Sequence, residues 1–266
     1  MTVIACVEKT IRILEVISNG QNQPISLNAI SRKTGINKST CFHIISTLLE
    51  EGYVERISAT KGYRLGPALF CLTRYGRYNS EFIATCRPIL QWLHKKTGYA
   101  VGLATIQNSR TYVIEYINSC PKTLANEGEI YPEDVYRTPA GRIILANMSN
   151  KELLEIYEKN GQPVRGYWDE VTSYETLKEQ VKKIDGQGVI RVIDPPDKNN
   201  IIWGGYATAI FRYQKCVGAI VISLNDENGT LESGLDREAE LKKLLLKART
   251  EIGRRLTNEW ANEGMQ

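Results

Sequence analysis

Residues 24–66, PISLNAISRKTGINKSTCFHIISTLLEEGYVERISATKGYRLG, contain the pattern that decides the fold of this chain. The pattern predicts a short helix, a turn at Gly35, a second helix and a two-stranded β-ribbon. This order of elements is the outline of a winged helix-turn-helix, which presents one helix and the ribbon to DNA. Double-stranded DNA is therefore the first partner that the sequence indicates.

The second helix has two chemically different faces. Cys41, Ile44, Ile45 and Leu48 recur at i, i+3, i+4 and i+7, the spacing of a stripe that must be buried. Small polar residues occupy the opposite side: Ser39, Thr40, His43, Ser46 and Thr47. Solvated helix faces usually carry Lys, Glu, Gln or Arg, which are better helix formers than Ser or Thr. We interpret the small polar face as one that approaches base edges and phosphates in the major groove.

The predicted helices begin and end at suitable residues. Ser26 and Asn37 can cap the two helices, because their side chains accept hydrogen bonds from first-turn amides. Gly52 ends the second helix, and residues 53–65 alternate like paired strands around a wing. Lys38 lies in the first turn of the second helix, where recognition helices usually contact bases. A helix-turn-helix used only for packing, the alternative, requires all these signals to coincide by accident.

Positive charge is concentrated in the first third of the chain. Residues 1–80 contain ten Lys or Arg and five Glu, a balance of +5, whereas the other 186 residues carry 24 basic and 25 acidic groups. A basic excess supplies the sequence-independent part of DNA affinity. Because +5 is modest, we expect one copy to bind weakly at physiological salt and dimerisation to be needed.

Length and composition are those of an ordinary globular protein. The 266 residues, 42% hydrophobic and 24% charged, favour two domains, and no apolar run approaches the ~20 residues of a membrane span. The N-terminus does not resemble a signal peptide, and it predicts an amphipathic helix with Val7, Ile11 and Leu14 on one face. Six scattered cysteines without C-x-x-C spacing indicate reduced thiols in a cytoplasm.

The rest of the chain predicts a helical connector and an α+β domain. Helices are expected from residue 67 to about 77 and from 80 to 96, with Pro88 as a kink or a start of the second. The later elements are strands 99–106 and 110–117, helices 139–148, 150–160 and 173–185, strands 188–193, 203–212 and 216–224, and a helix carrying Leu241, Leu245, Ala248, Ile252 and Leu256. Helices grouped before and after a strand meander favour an α+β sheet domain.

A helix start at Thr138–Pro139 suggests a ligand site. Thr138 can be the N-cap and Pro139 the first helical residue, followed by Ala140 and Gly141. Free amide groups and the positive end of the helix dipole suit an anionic ligand. An ordinary capped helix without a ligand explains the same residues equally well.

The sequence does not favour an enzyme. Its two histidines are His43, on the predicted DNA face, and His94, in the connector. No G-x-S-x-G, H-E-x-x-H, G-x-x-x-x-G-K or G-x-G-x-x-G motif is present. The run DPPD at 194–197 pairs two carboxylates, but polar Pro-rich runs are typically turns. The alternative to a regulator is a winged-helix adaptor that binds another protein, and it would lack an enclosed cavity in residues 98–235.

Six segments, in order, resemble the IclR family of bacterial transcriptional regulators. They are VEKTIRILEVIS, ISLNAISRKTGINKSTCFHIISTLLEEGYVER, GYRLGPAL, KKTGYAVGLAT, TPAGRIILA and GAIVISL. The resemblance covers nearly the whole chain and is most specific between Ile11 and Leu69. It implies an N-terminal winged helix-turn-helix at 1–66, a linker helix at 67–79 and a C-terminal GAF-like α/β effector-binding domain at 80–266.

The resemblance also implies how such a protein works. It indicates a cytoplasmic homodimer or tetramer that binds a pseudo-palindromic operator, without a cofactor, a metal or a membrane. A small organic effector, a carboxylate or an aromatic acid, would set the affinity for DNA. We therefore expect a ligand-responsive transcriptional regulator of a catabolic or small-molecule uptake operon.

The resemblance assigns the DNA contacts to the second helix and the wing. Lys38, Ser39 and Thr40 match the family signature, whereas His43 stands where members commonly have Arg and lacks that permanent charge and bidentate fork. Lys61, at the wing tip, is either a DNA contact or a merely solvated side chain. The candidate DNA-binding residues are Ser26, Lys38, Ser39, Thr40, His43, Thr47 and Lys61.

The resemblance also places the effector beside the helix that starts at Thr138. The candidate effector-binding residues are Tyr136, Thr138, Ala140, Gly141, Asp194, Gly205 and Ser223. Two of them depart from the family pattern, since a polar residue, often Cys, is usual at Gly205 and His is common at Tyr136. With Trp203 and Tyr206 nearby, we expect a pocket that is larger or more aromatic than usual.

Overall fold

The computed structural model describes residues 3–19, 23–58, 62–75, 79–118, 134–185, 188–196, 200–226 and 230–263. These residues divide into two compact units, with the division between residues 78 and 79. The expected three-part division at 1–66, 67–79 and 80–266 is finer and stays a prediction. None of the described helices is both long and apolar enough to cross a membrane.

The first unit consists of helices and a β-ribbon. Its elements are α1 (Ala5–Ser18), α2 (Leu27–Thr34), α3 (Lys38–Glu50), β1 (Val54–Ser58), β2 (Gly62–Leu65) and α4 (Pro67–Tyr75). The succession of α2, a short turn, α3 and an antiparallel ribbon is that of a winged helix-turn-helix. This part of the predicted fold is confirmed.

Capping side chains set the starts of α2 and α3. The Ser26 side chain accepts a hydrogen bond from the Ala29 amide at 3.3 Å, and the Asn37 side chain accepts one from the Thr40 amide at 2.8 Å. Between the helices Gly35 has φ = +69°, a left-handed conformation that glycine adopts at little cost because it has no Cβ. Both predicted caps and the predicted turn are confirmed.

The β-ribbon is tied to the strand-like segment before α2. Ile25 forms a bridge with Tyr63, in which the amide of each residue donates to the carbonyl of the other at 2.8 and 2.9 Å. Gly62 has φ = +96°, and a Cβ at this position would lie 2.6 Å from the carbonyl carbon of Ile25. Glycine is therefore required where the wing turns back toward α2.

The core of the first unit is built around α3. It comprises Ile13, Ile17, Ile25, Ile30, Ile36, Cys41, Ile45, Leu48, Val54 and Tyr63. Ile44 is partly buried and packs against this core. The predicted apolar stripe of α3 is thus confirmed, and burying it fixes which face of the helix points to solvent.

α1 differs in part from its predicted apolar face. Ile13 and Ile17 are buried, and Leu14 packs against the core. Val7 and Ile11, on the predicted face, are instead 53% and 49% exposed. α1 therefore keeps an apolar edge that the described residues do not cover.

The second unit contains one sheet and seven helices among its described residues. Its elements are α5 (Ser80–Thr97), β3 (Ala100–Gln107), β4 (Arg110–Ile117), α6 (Asp134–Arg137), α7 (Pro139–Leu145), α8 (Asn150–Asn160), α9 (Tyr174–Asp185), β5 (Ile190–Ile193), β6 (Trp203–Arg212), β7 (Lys215–Asn225), α10 (Thr230–Asp236) and α11 (Glu238–Glu263). The strand order is β4-β3-β7-β6-β5, and every neighbouring pair is antiparallel. The predicted α+β architecture is confirmed.

The sheet is covered on both faces. One face packs against α5, α10 and α11, and the other packs against α7. A further cluster joins α6 and α7 to α8 and α9. Because successive strand residues point to opposite faces, each strand contributes alternately to the α7 side and to the α11 side.

Some element bounds differ from the predictions. α7 ends at Leu145 rather than near residue 148, because the amides of Asn147 and Met148 donate to carbonyls three residues back and tighten the chain before Ser149 caps α8. α5 continues through Pro88, so this proline does not mark its start. The short helices α6 and α10 were not predicted.

Candidate nucleic-acid interface and effector site

The exposed face of α3 carries most of the predicted DNA-binding residues. Lys38, Ser39, His43 and Thr47 are exposed, and Thr40 is half-buried beside the Asn37 cap. The burial of the opposite stripe places these side chains together on the solvent side of the helix. Their contacts with DNA stay predictions.

Two predicted DNA-binding residues lie elsewhere. Ser26 is exposed at the start of α2, and its side-chain oxygen accepts the capping hydrogen bond from Ala29. Its first role is therefore to start α2, the helix that precedes α3. Lys61, at the predicted wing tip, lies outside the described residues.

Sequence reasoning missed Phe42. This side chain is 49% exposed and lies on the outward face of α3, with its ring centroid 5.8 Å from that of His43 and the two planes at 70°. Its position could have been derived, because residue 42 lies three residues after Ser39 and four before Ser46 on the face predicted to be polar. The outward face of α3 is thus polar with one aromatic side chain.

Two hydroxyls on α3 donate to the helix itself. The Ser46 hydroxyl donates to the carbonyl of Phe42 at 2.8 Å, and the Thr47 hydroxyl donates to the carbonyl of His43 at 3.3 Å. Ser and Thr commonly make this bond inside helices. In this arrangement the two oxygens retain lone pairs and can accept hydrogen bonds from a ligand.

Basic side chains are also exposed on α2 and on the ribbon, the elements before and after α3. Arg32 and Lys33 are exposed in the last turn of α2. On the ribbon, Arg64 pairs with Glu55 across the strands, and the Arg56 guanidinium lies 5.9 Å from the centroid of the Tyr63 ring. Exposed cations of this kind suit the phosphate backbone of DNA.

Strand register brings three predicted effector residues to the α7 side of the sheet. Gly205 pairs with Ser223 on β7 and with Val192 on β5. Val192 is buried in the cluster that packs against α7, so its cross-strand partners share that face. Asp194 follows two residues after Val192, and its amide donates to the Trp203 carbonyl at 2.7 Å. Sequence reasoning and structure agree on this grouping, whereas its use by an effector stays a prediction.

The start of α7 is capped as predicted. The Thr138 side chain accepts a hydrogen bond from the Gly141 amide at 3.0 Å, and the Arg142 amide donates to the Thr138 carbonyl at 3.1 Å. Pro139 has no amide hydrogen. The first turn therefore leaves at most the amide of Ala140 for an anionic ligand, so the helix start alone is a weak anion site.

Two arginines supply the positive charge that the helix start lacks. The Arg137 Nε lies 2.8 Å from the Asp194 Oδ2, and the two side chains are 16% and 10% exposed. Arg142 donates from Nε to the Tyr136 carbonyl at 2.6 Å, and its guanidinium lies 4.5 Å from the centroid of the Trp168 ring. Sequence reasoning missed both arginines, although they flank the segment 138–141 in the sequence.

Burial sets the pKa values of this group of charges. It lowers the pKa of Arg142 to about 10, with the charges of Asp194 and Glu170 opposing the shift, so the side chain stays cationic at neutral pH. Burial raises the pKa of the Asp194 carboxyl, and the hydrogen bond and charge of Arg137 and the charge of Arg142 oppose that shift. Two cations thus act on the Asp194 carboxylate, and two carboxylates, those of Asp194 and Glu170, act on Arg142, so the positive and negative charges of this group balance.

Tyr136 lies on the far side of α7 from the sheet. The residue is 1% exposed and packs in the cluster with α8 and α9. The centroids of the Tyr136 and Trp168 rings are 6.5 Å apart. Burial raises the pKa of its hydroxyl, whose oxygen has no hydrogen-bond partner among the described residues. This position does not group Tyr136 with Gly205 and Ser223.

The expectation of a larger or more aromatic pocket stays a prediction, but Gly205 by itself adds no space to it. A Cβ at this position would overlap the carbonyl oxygen of Ile222, so glycine is required by the close approach of two strands rather than leaving space for a ligand. Tyr206 points to the other face of the sheet, where it is fully buried and its hydroxyl lies 3.5 Å from Glu238. Strand alternation therefore removes it from the α7 side.

Close packing also requires glycine at position 141. A Cβ there would overlap the carbonyl oxygen of Val135, because α6 passes directly against the first turn of α7. Ala140 is buried against the sheet in the same turn. Small residues at 140 and 141 are therefore explained by close packing, whether or not an effector binds.

The described residues contain no evident metal site. Within the described ranges no group of three or more His, Cys, Asp or Glu lies close enough to hold a metal ion. The five cysteines of these ranges, Cys6, Cys41, Cys71, Cys86 and Cys216, are free thiols.

Family models match both units of the chain. A model described as the IclR helix-turn-helix domain matches residues 6–58. A second model, described as bacterial transcriptional regulator IclR C-terminal, matches residues 78–254.

Curated relatives are similar over part of their length. The HTH-type transcriptional regulator TtgV of Pseudomonas putida is 29% identical over 133 residues, which are 48% of this chain and 49% of that protein. The transcriptional repressor IclR of Escherichia coli is 20% identical over 154 residues, which are 57% of this chain and 56% of that protein. The chain thus spans about half the length of these curated relatives.

Solved structures share the fold over nearly the whole chain. An IclR homolog from Microbacterium hydrocarbonoxydans, complexed with 4-hydroxybenzoate, has a TM-score of 0.66 and 18% identity, covering 95% of this chain and 99% of that one. An IclR transcriptional regulator from Alicyclobacillus acidocaldarius has a TM-score of 0.68 and 18% identity, covering 96% and 100%. At this identity the likeness shows the fold alone.

Proposed function

Because this chain belongs to the IclR family of bacterial transcriptional regulators, we propose that it binds an operator and that a small organic effector sets its affinity. The observation that carries the proposal is the outward face of α3, where Lys38, Ser39, His43 and Thr47 are exposed together. Short polar side chains with a lysine in the first turn suit a helix that enters the major groove.

The proposed effector site lies on the α7 side of the sheet in the second unit. Thr138, Asp194, Gly205 and Ser223 border it, and Arg137 supplies the nearest guanidinium to Asp194. The guanidinium groups of Arg137 and Arg142 are the groups beside α7 that could pair with a carboxylate, and the 4-hydroxybenzoate bound by the structurally similar Microbacterium protein suggests an aromatic acid. The regulated operon would then serve uptake or breakdown of such a compound.

The proposed active form is a homodimer in the cytoplasm, or a tetramer built from dimers. The modest +5 balance of residues 1–80 favours two DNA-binding units per operator. Val7 and Ile11 on α1, together with Val3 and Ile4 just before it, form an apolar edge with exposures of 53%, 49%, 68% and 67%. Contiguous exposed apolar side chains are typical of interaction surfaces, and a second copy would cover them.

Effector and operator would be coupled through the dimer. If the effector changes operator affinity by some factor, the operator must change effector affinity by the same factor. This reciprocity separates a sensor from an adaptor, in which a bound small molecule has no effect on DNA.

The proposal is tested by selecting duplexes from a random-sequence pool with the full chain. We expect an inverted repeat whose half-sites lie about one helical turn, or a multiple of it, apart. Selected sequences without dyad symmetry would contradict the dimer model, and failure to select any sequence would contradict DNA recognition.

Binding of the effector is tested by thermal unfolding of the protein with 4-hydroxybenzoate and a series of related acids. A ligand at 100 times its Kd should stabilise the second unit by about 2.7 kcal/mol. The stabilising acid should then change the affinity for the selected duplex. Stabilisation without any change in DNA affinity would support the adaptor alternative.

A further inference from the structure

Phe42 is an aromatic side chain at the centre of a polar helix face. It is 49% exposed, while its neighbour Cys41 and the next turn's Ile45 are buried in the core. The centroid of its ring lies 5.8 Å from that of the His43 ring, in an edge-on arrangement. Phe42 therefore does not serve the core of the first unit, and its ring projects from the face proposed to meet DNA.

The neighbouring hydroxyls limit what the same face can recognise. The hydroxyl hydrogens of Ser46 and Thr47 are directed at the carbonyls of Phe42 and His43. These hydroxyls can then only accept, and in the major groove the donors are the exocyclic amino groups of adenine and cytosine. Thymine offers an acceptor, to which these two hydroxyls cannot donate, and a C5-methyl group, which an apolar side chain can contact.

We infer that Phe42 contacts the C5-methyl group of a thymine in each half-site and thereby determines part of the operator sequence. The inference rests on the proposed function and identifies a base that α3 reads. Apolar contact with the thymine methyl is a known mode of major-groove readout. Lys38, one helical turn earlier, supplies charge that complements the DNA on the same face.

The expected effect is that of one buried methyl group. Burying such a group changes affinity about fourfold, equivalent to about 0.8 kcal/mol. In a palindromic operator the contact occurs twice, so removing both methyl groups should lower affinity about 16-fold if the half-sites act independently.

The experiment replaces thymines with deoxyuridine, one position at a time, in a duplex selected by the full chain. Deoxyuridine lacks only the C5-methyl group. Fluorescence anisotropy then measures the affinity of the wild type and of Phe42→Ala for each duplex. We expect one position per half-site where the wild type loses about fourfold in affinity and Phe42→Ala loses nothing.

Two further variants make the result specific. Phe42→Leu keeps an apolar side chain and should retain part of the discrimination. Leu72→Ala removes a side chain that is 59% exposed on α4, in the same unit, and should discriminate like the wild type. Thermal unfolding of each variant shows whether it is folded, and we expect folded variants because the Phe42 and Leu72 side chains are 49% and 59% exposed.

Two outcomes would overturn the inference. The wild type could bind the thymine and deoxyuridine duplexes equally at every position, or Phe42→Ala could keep the discrimination. Loss of self-association in Phe42→Ala, with discrimination unchanged, would assign the ring to a contact between copies. If a duplex is selected and either result is obtained, the methyl contact is contradicted but the proposed function is not. If no duplex is selected, the proposed function is contradicted as well.

Discussion

Arg137 and Asp194, 57 residues apart in the chain, form a largely buried ion pair with 2.8 Å between Nε and Oδ2. The pair joins α6 to the residue that follows β5, beside the capped start of α7. Because the Asp194 amide also donates to the Trp203 carbonyl, the carboxylate is held by backbone and side chain together. The proposed effector site is built around this pair.

Arg137→Met should lower the free energy of unfolding of the second unit by about 3 kcal/mol, because it leaves a buried carboxylate without its partner. All four tryptophans, Trp92, Trp168, Trp203 and Trp260, lie in the second unit, so urea unfolding followed by tryptophan fluorescence reports on it.

Arg254→Met is the matched control for that change. Arg254 pairs with Glu251 on α11 with side chains 60% and 35% exposed, and such surface pairs contribute ~1 kcal/mol or less. Equal losses in the two variants would show that the buried pair has no special importance.

Asp194→Asn should change how stability depends on pH. The ordinary pKa of this carboxyl is 3.8, and burial raises it in the folded state. The folded protein then binds a proton more tightly than the unfolded chain, so this contribution to stability is present below pH 3.8 and is lost as pH rises through the folded pKa. Relative to Asp194→Asn, the wild type should lose stability between acidic and neutral pH in urea titrations. The opposite trend would mean that pairing with Arg137 outweighs burial.

Lys38→Ala should weaken operator binding about tenfold, because Lys38 contributes charge in the first turn of α3. For each copy bound to the operator, the substitution should also reduce the magnitude of the slope of log affinity against log salt concentration by about one. Lys96→Ala removes an exposed lysine from the end of α5 and should leave both quantities unchanged. Anisotropy titrations at several salt concentrations measure them, and identical behaviour of the two variants would refute the assignment of α3.

Gly62→Ala should disrupt the bridge between Ile25 and Tyr63. The new Cβ would lie 2.6 Å from the Ile25 carbonyl carbon at φ = +96°, so we expect a loss of more than about 2 kcal/mol in the first unit. Gly35→Ala has a similar φ of +69° but no heavy atom within 4 Å, so only backbone strain of about 1 kcal/mol applies. Hydrogen exchange of the Ile25 and Tyr63 amides should distinguish the two variants, because only Gly62→Ala should lose protection there. Retained protection in Gly62→Ala would contradict the expected clash.

Thr138→Ala should destabilise the second unit by about 1 kcal/mol through loss of the α7 cap. Ser149→Ala removes the cap of α8, where Ser149 and Glu152 form a capping box, and should cost about the same. If the effector lies beside α7, the Thr138 variant alone should also lose affinity for the stabilising acid. Equal ligand affinities in isothermal titration would move the effector away from α7.

Local signals in the sequence were sufficient for the first unit. Ser26, Asn37 and Gly35 act on backbone groups within a few residues, so the ends of α2 and α3 could be predicted without knowledge of distant contacts. The burial of the α3 stripe followed from helical periodicity alone. Phe42 was missed only because the outward face was assumed to be uniformly polar.

Strand and helix order in the second unit was also predictable, but only part of the candidate site was. Gly205 and Tyr206 are adjacent in sequence and point to opposite faces of the sheet, and Tyr136 packs behind α7 rather than toward Gly205. Which face a strand residue takes depends on register, and register is set by the whole sheet.

By itself the sequence determined the family, the helix-turn-helix with its caps and the succession of elements, because these depend on neighbouring residues and periodicity. The tertiary structure alone decided the contacts between distant segments. It joined Arg137 to Asp194 and left Gly205 without room for a side chain. Such contacts arise from packing between elements far apart in the chain, and no local pattern records them.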